Sequence, residues 1–119
     1  MKVFNIPTTK KDFFYKYLVV LSGIVDIRPV AMRVFAGFLY WNDYYKHIDK
    51  EERNLLIFNK ETRSKILQGI DISRASLDNQ LTYLRKKDLL LGNTINPKYE
   101  IFYDTHKELM FSFKLEDND

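Results

Sequence analysis

Residues 62–91, TRSKILQGIDISRASLDNQLTYLRKKDLLL, constrain the chain most, because apolar positions recur there at helical spacing on both sides of a short break. Ile66 and Ile70 lie four apart, as one buried helical stripe requires. Asp71 and Ile72 interrupt the pattern, and Ser73 then offers a hydroxyl suited to capping the free N–H groups of a new helix. Leu77, Leu81 and Leu84 fall at i, i+4 and i+7, which predicts one apolar face on that second helix. The remaining positions, Arg74, Ser76, Asn79, Gln80, Thr82, Tyr83, Arg85 and Lys86, are polar side chains able to meet phosphates and base edges. An ordinary helical hairpin with a solvated outer face has the same spacing.

The segments around this stretch resemble the winged helix-turn-helix domains of plasmid and phage replication initiators and regulators. The likeness rests on Arg63 to Ile66, Ile70 to Ser73, Ser76 with Leu77, Leu84 to Leu90, and Ile95-Asn96-Pro97-Lys98-Tyr99. It covers residues 28–99. It implies a mainly α fold with a small β wing, a winged helix-turn-helix extended by an N-terminal helix and a C-terminal strand. The chain departs from the pattern at several places. Asp71 and Asp88 stand where the family has glycine, at positions that need a left-handed backbone, which Asp tolerates less readily than Gly. Leu67 replaces a small alanine, and Asp78 and Asp88 bring negative charge near the proposed phosphate surface.

In a docked recognition helix the first turn enters the major groove, which the resemblance assigns to Arg74 and Ala75, with Asn79 about a turn further on. Arg74 can offer its fork to guanine, and Asn79 can pair with adenine. Ser73 and Ser76 suit phosphate, although Ser73 serves equally as a cap. Arg63 and Lys65 on the preceding helix, with Arg85 and Lys86 at the far end, can hold flanking phosphates. The basic Arg85 and Lys86 also complement a helix carboxyl terminus without any DNA. Asn93 and Thr94 leave the wing tip neutral. Charge supports a polyanionic partner: residues 60–98 hold eight Lys or Arg against four Asp or Glu, while residues 99–119 hold two against six.

Upstream, Pro7 ends a short strand or arm at residues 2–6, and Thr9 with Asp12 resembles a capping box opening a helix to about Val25. Its apolar residues form two stripes, Phe14, Leu18, Leu21 and Val25, and Phe13, Tyr17, Val20 and Ile24. Pro29 begins a second helix with Val30, Val34, Phe38, Trp41, Tyr45 and Ile48 on its stripe, widened by Phe35 and Leu39. Residues 49–54 read as a charged connector, residues 55–58 as a short strand, and Asn59 as a cap for the helix that carries Ile66. Leu89 to Leu91 and Ile95 would form the wing hairpin around Gly92. Residues 109–115 alternate as a strand with one apolar face, and residues 116–119 form an acidic tail.

A length of 119 residues predicts a single domain: 1–27 an arm and helix, 28–99 the winged core, 100–119 a strand and tail. No cysteine is present, two distant histidines (His47 and His106) assemble no metal or catalytic site, and four glycines supply no phosphate-cradling loop. The expectation is therefore a non-enzyme with no cofactor, metal or small-molecule substrate. No apolar run approaches the roughly 20 residues that span a bilayer, so the expected compartment is the cytoplasm, that of the host for a phage protein. The expected function is sequence-specific binding of double-stranded DNA in phage or mobile-element transcription control or replication initiation. The alternative is a winged helix used for protein interaction or virion assembly, without DNA. A single-stranded nucleic-acid binder using Tyr40, Tyr44 and Tyr45 fits less well, since those residues follow a helical core pattern. The broad apolar surface of the two aromatic helices predicts a homodimer placing two recognition helices on one pseudo-palindromic site.

Overall fold

The computed structural model describes the backbone of residues 2–7, 10–103 and 108–113, and side chains across residues 12–103. The fold is mainly helical. In chain order come β1 (Lys2–Pro7), α1 (Lys10–Leu21), α2 (Pro29–Tyr44), α3 (Lys50–Ile57), α4 (Lys60–Ile70), α5 (Arg74–Lys86), a 3-10 turn (Pro97–Tyr99) and β2 (Glu108–Phe113). β1 and β2 run antiparallel, with Lys2 opposite Phe113 and Pro7 opposite Glu108. The Thr9 capping box, His106, the facing of residues 109–115 and the acidic tail at 116–119 lie outside the described residues.

α2 is the centre of the molecule, and α1, α3, α4 and α5 all pack on it. Its buried face carries Ala31, Val34, Phe35, Phe38, Leu39 and Asn42. The expected stripe is therefore only half right. Val34 and Phe38 are fully buried, whereas Val30 is exposed and Trp41, Tyr45 and Ile48 are half-buried. Trp41, Tyr44 and Tyr45 instead contact one another, with ring centroids 5.0–6.3 Å apart. The helix ends at Tyr44, one turn before Ile48, where Asn42 and Asp43 turn inward to meet Glu100 and Tyr103.

α1 buries Phe13, Phe14, Tyr17 and Leu18 and stops at Leu21, leaving Ile24 exposed in the turn beyond it. The Tyr17 hydroxyl donates to the Tyr99 carbonyl at 3.2 Å. Burial first, and neighbouring Tyr99 second, push its pKa up to about 12, so the hydroxyl remains a donor at neutral pH.

Residues 49–58 differ from expectation. The expected connector and strand are helix α3, capped by the Asp49 carboxylate, which accepts from the Glu51 N–H at 3.2 Å. Glu51 and Glu52 occupy the first turn, where acidic groups favour the helix dipole. Leu55 is 75% exposed while Arg53 and Ile57 are buried, a helical rather than an alternating pattern. A four-residue apolar run cannot by itself distinguish the two.

The expected wing hairpin differs as well. Among the described residues it is one antiparallel bridge, Leu90 to Ile95, around a turn closed by Leu91 and Thr94. Two local structures stop the ladder from lengthening. The N–H groups of Leu89 and Leu90 both bond the Leu84 carbonyl at the end of α5, at 3.0 and 3.3 Å. On the other side Pro97 has no N–H and opens the 3-10 turn. Leu89, Leu90 and Ile95 are nevertheless buried, so this turn closes the core.

The apolar face of α5 matches its spacing: Leu77, Leu81 and Leu84 are buried with Ile66, and Ile70 and Trp41 pack at the margin. Leu81→Ala is expected to destabilise by about 2–5 kcal/mol in chemical denaturation. A loss below about 1 kcal/mol would mean that this face is not packed.

Candidate functional site

α4, the turn and α5 are built from local signals. Asn59 Oδ1 accepts from the Thr62 N–H at 2.8 Å, and the Thr62 hydroxyl donates to the Leu56 carbonyl at 2.8 Å, joining α4 to the end of α3. α4 stops at Asp71, whose φ of 56° is left-handed, and the Ile72 N–H returns to the Leu67 carbonyl. Ser73 Oγ then accepts from the Ser76 N–H at 3.0 Å and opens α5. α5 ends in a Schellman motif, with Asp88 at φ 60°, its N–H on Arg85 and the Leu89 N–H on Leu84. Both aspartates thus occupy the left-handed positions expected of them. Leu67 is half-buried and lines a cleft with Leu77, so its bulk fits between α4 and α5.

The polar positions of α5 fall on different sides. Successive helical residues advance by about 100°, which separates Arg74 from Asn79 by about 140°. Ala75, Asn79, Thr82 and Lys86 share the exposed outer face opposite Leu77 and Leu81. Thr82 donates its hydroxyl to the Asp78 carbonyl at 3.1 Å. Arg74 lies instead on the flank toward α4.

There Lys60, Arg63, Ser64 and Arg74 line a cleft of about 250 Å³ with Leu67, Leu77 and Asp78. Three cationic side chains face one carboxylate. Arg63 Nε is buried and has no hydrogen-bond partner among the described residues, an arrangement that costs stability unless something accepts from it. Lys60 is an addition to the expected contacts. Its signal in the sequence is its position in the first turn of α4, three residues before Arg63.

The other expected phosphate residues scatter. Lys65 is about 200° around α4 from Arg63. It pairs with Glu61 at 3.4 Å and sits 4.9 Å from the Trp41 ring centroid, on the far side of the helix. Arg85 directs Nε to the Gly92 carbonyl at 3.0 Å and a terminal nitrogen to Asn93 Oδ1 at 2.8 Å, fixing the turn after α5. Ser73 is a cap, Ser76 is half-buried, and Lys86 is exposed. Tyr83 belongs to the scaffold. Its hydroxyl donates to the Asp26 carbonyl at 3.3 Å and accepts from the Arg28 N–H at 3.2 Å, and the Arg28 guanidinium lies 3.8 Å from its ring centroid.

Among the described residues no group of three or more His, Cys, Asp or Glu side chains could hold a metal ion, and no helix is long and apolar enough to cross a membrane. Comparison of the chain with models of protein families, with curated proteins and with solved structures gave no match.

Proposed function

We propose that α4, the turn and α5 act as a helix-turn-helix within a winged-helix domain that binds double-stranded DNA in transcription control or replication initiation of a phage or mobile element. The observation that carries this reading is the cleft of Lys60, Arg63 and Arg74 beside the exposed face of Ala75, Asn79 and Lys86. In this proposal Asn79 reads a base edge and Ala75 allows close approach of α5 to the groove. Arg74 turns from base contact to phosphate, together with Lys60 and Arg63, whose buried Nε donates to a phosphate oxygen. Lys86 holds the backbone further along α5. The protein would work in the cytoplasm where such DNA is found.

The test is binding to duplexes selected from a random pool, titrated with salt. Asn79→Ala is expected to cost about 1–3 kcal/mol on the selected site and to relax preference at one position. Arg74→Ala, Arg63→Ala and Lys86→Ala should weaken all duplexes alike and each flatten the salt slope by about one. No salt-dependent binding at low ionic strength would overturn the proposal and leave the protein-interaction reading, which Asp78 in the cleft favours. A homodimer on the DNA belongs to the same proposal, with less apolar surface to build it than the sequence suggests. Phe13, Phe14, Phe35 and Phe38 are buried within the single chain, leaving Val19, Ile24, Val30 and Tyr44 as exposed large apolar residues of that region among the described residues. Sedimentation of the complex separates one bound copy from two.

A further inference from the structure

A second concavity lies on the opposite side of α4, between that helix and α1 and α2. It measures about 830 Å³, within the range of small-molecule sites. Its walls include the half-buried rings of Tyr15, Tyr40 and Trp41, and Ile66 lies at its base. Gly69 lines the groove, and a Cβ built there meets nothing within 4 Å among the described residues. Gly37, by contrast, is filled by Ile66, whose Cγ2 would lie 3.0 Å from an added Cβ, so α2 and α4 touch below the groove and hold its width.

Two cations stand among these rings, Arg33 from α2 and Lys65 from α4, and no carboxylate lines the groove among the described residues. Lys65 Nζ, 4.9 Å from the Trp41 ring centroid, forms an ion pair with Glu61, itself 78% exposed. Such surface pairs are weak and readily exchanged for a better-placed anion. Aromatic walls with two cationic groups and no lining carboxylate among the described residues match a planar apolar body bearing a negative group.

From this we propose that the groove between α1, α2 and α4 is a binding site for a small aromatic carboxylate or sulfonate, its ring among Tyr15, Tyr40 and Trp41 and its charge drawn to the two groove cations, Arg33 and Lys65. The site is separate from the α4–α5 cleft and does not depend on the DNA reading.

Trp41 is the only tryptophan of the chain, so energy transfer from it reports occupancy directly. The probes are 8-anilinonaphthalene-1-sulfonate and its uncharged counterpart N-phenyl-1-naphthylamine. The sulfonate is expected to bind one per chain with energy transfer from Trp41, and more tightly than the neutral amine. Arg33→Ala should weaken the sulfonate about tenfold, as loss of one charge-assisted contact implies, and leave the amine unchanged. Gly69→Leu should abolish binding of both. Because the added side chain enters open space and leucine favours helix, its thermal midpoint should match or exceed the parent's. Sulfonate binding that survives Gly69→Leu, or an Arg33→Ala variant that loses both probes equally, would overturn the proposal.

Discussion

Replacing Arg53 with alanine is expected to lower the free energy of unfolding by about 3–5 kcal/mol. Arg53 projects from α3 into a largely buried polar cluster. Its Nε donates to Asn42 Oδ1 at 2.8 Å, one terminal nitrogen donates to the Ile48 carbonyl at 3.1 Å, and the other pairs with Glu100 Oε2 at 3.3 Å. Asn42 Nδ2 donates to the same Glu100 oxygen at 2.8 Å. The Arg53 and Glu100 side chains are 9% and 16% exposed, and Asn42 is fully buried. Truncation would strand a carboxylate, an amide oxygen and a carbonyl together, so the cost exceeds that of one hydrogen bond. Glu100→Gln, which keeps an acceptor for Asn42 and Arg53, should cost less. Urea denaturation of both variants measures the difference. Equal and small losses would show that the cluster is solvated and contributes little.

Phe38→Ala is expected to cost about 3–5 kcal/mol. Phe38 is fully buried at the middle of α2, and its ring stacks on Phe58 with centroids 4.6 Å apart and planes 19° from parallel. Beside it, α2 approaches α4 until Gly37 meets Ile66, so the helices have no slack with which to close the resulting cavity. Phe38→Leu, which keeps most of the volume, should lose much less. A thermal midpoint for Phe38→Ala close to the parent's would place the centre of the core elsewhere. Whole domains of this kind are held by about 5–15 kcal/mol, so either alanine variant should approach the limit of folding.

α4 and α5 are largely legible from the residues because their signals are local. Helical spacing selects Ile66, Leu77, Leu81 and Leu84 for burial, since each helix has one core side and one water side. Asn59 and Ser73 cap because a short side-chain oxygen beside free N–H groups needs no distant partner. The resemblance implies left-handed turn positions at Asp71 and Asp88, and both adopt the left-handed backbone. The buried face of α2 is not legible, because helices pack on several of its sides and a single stripe does not describe it. α3 escapes sequence reasoning for a related reason: the residue that anchors it is Arg53, and a charged side chain gives no apolar periodicity to read.

By itself the sequence determined where the later helices begin and which way their apolar faces turn. Both depend on neighbours within a few positions. Only the tertiary structure decided which polar residues act together. It brought Asn42, Arg53 and Glu100 into one buried cluster from positions up to 58 residues apart. It placed Arg63 with Arg74 in one cleft and sent Lys65, two residues away, to the aromatic groove on the other side. Long polar side chains carry no periodic signature of their partners. Their company is chosen by the crossing of helices whose packing is set by apolar contacts elsewhere.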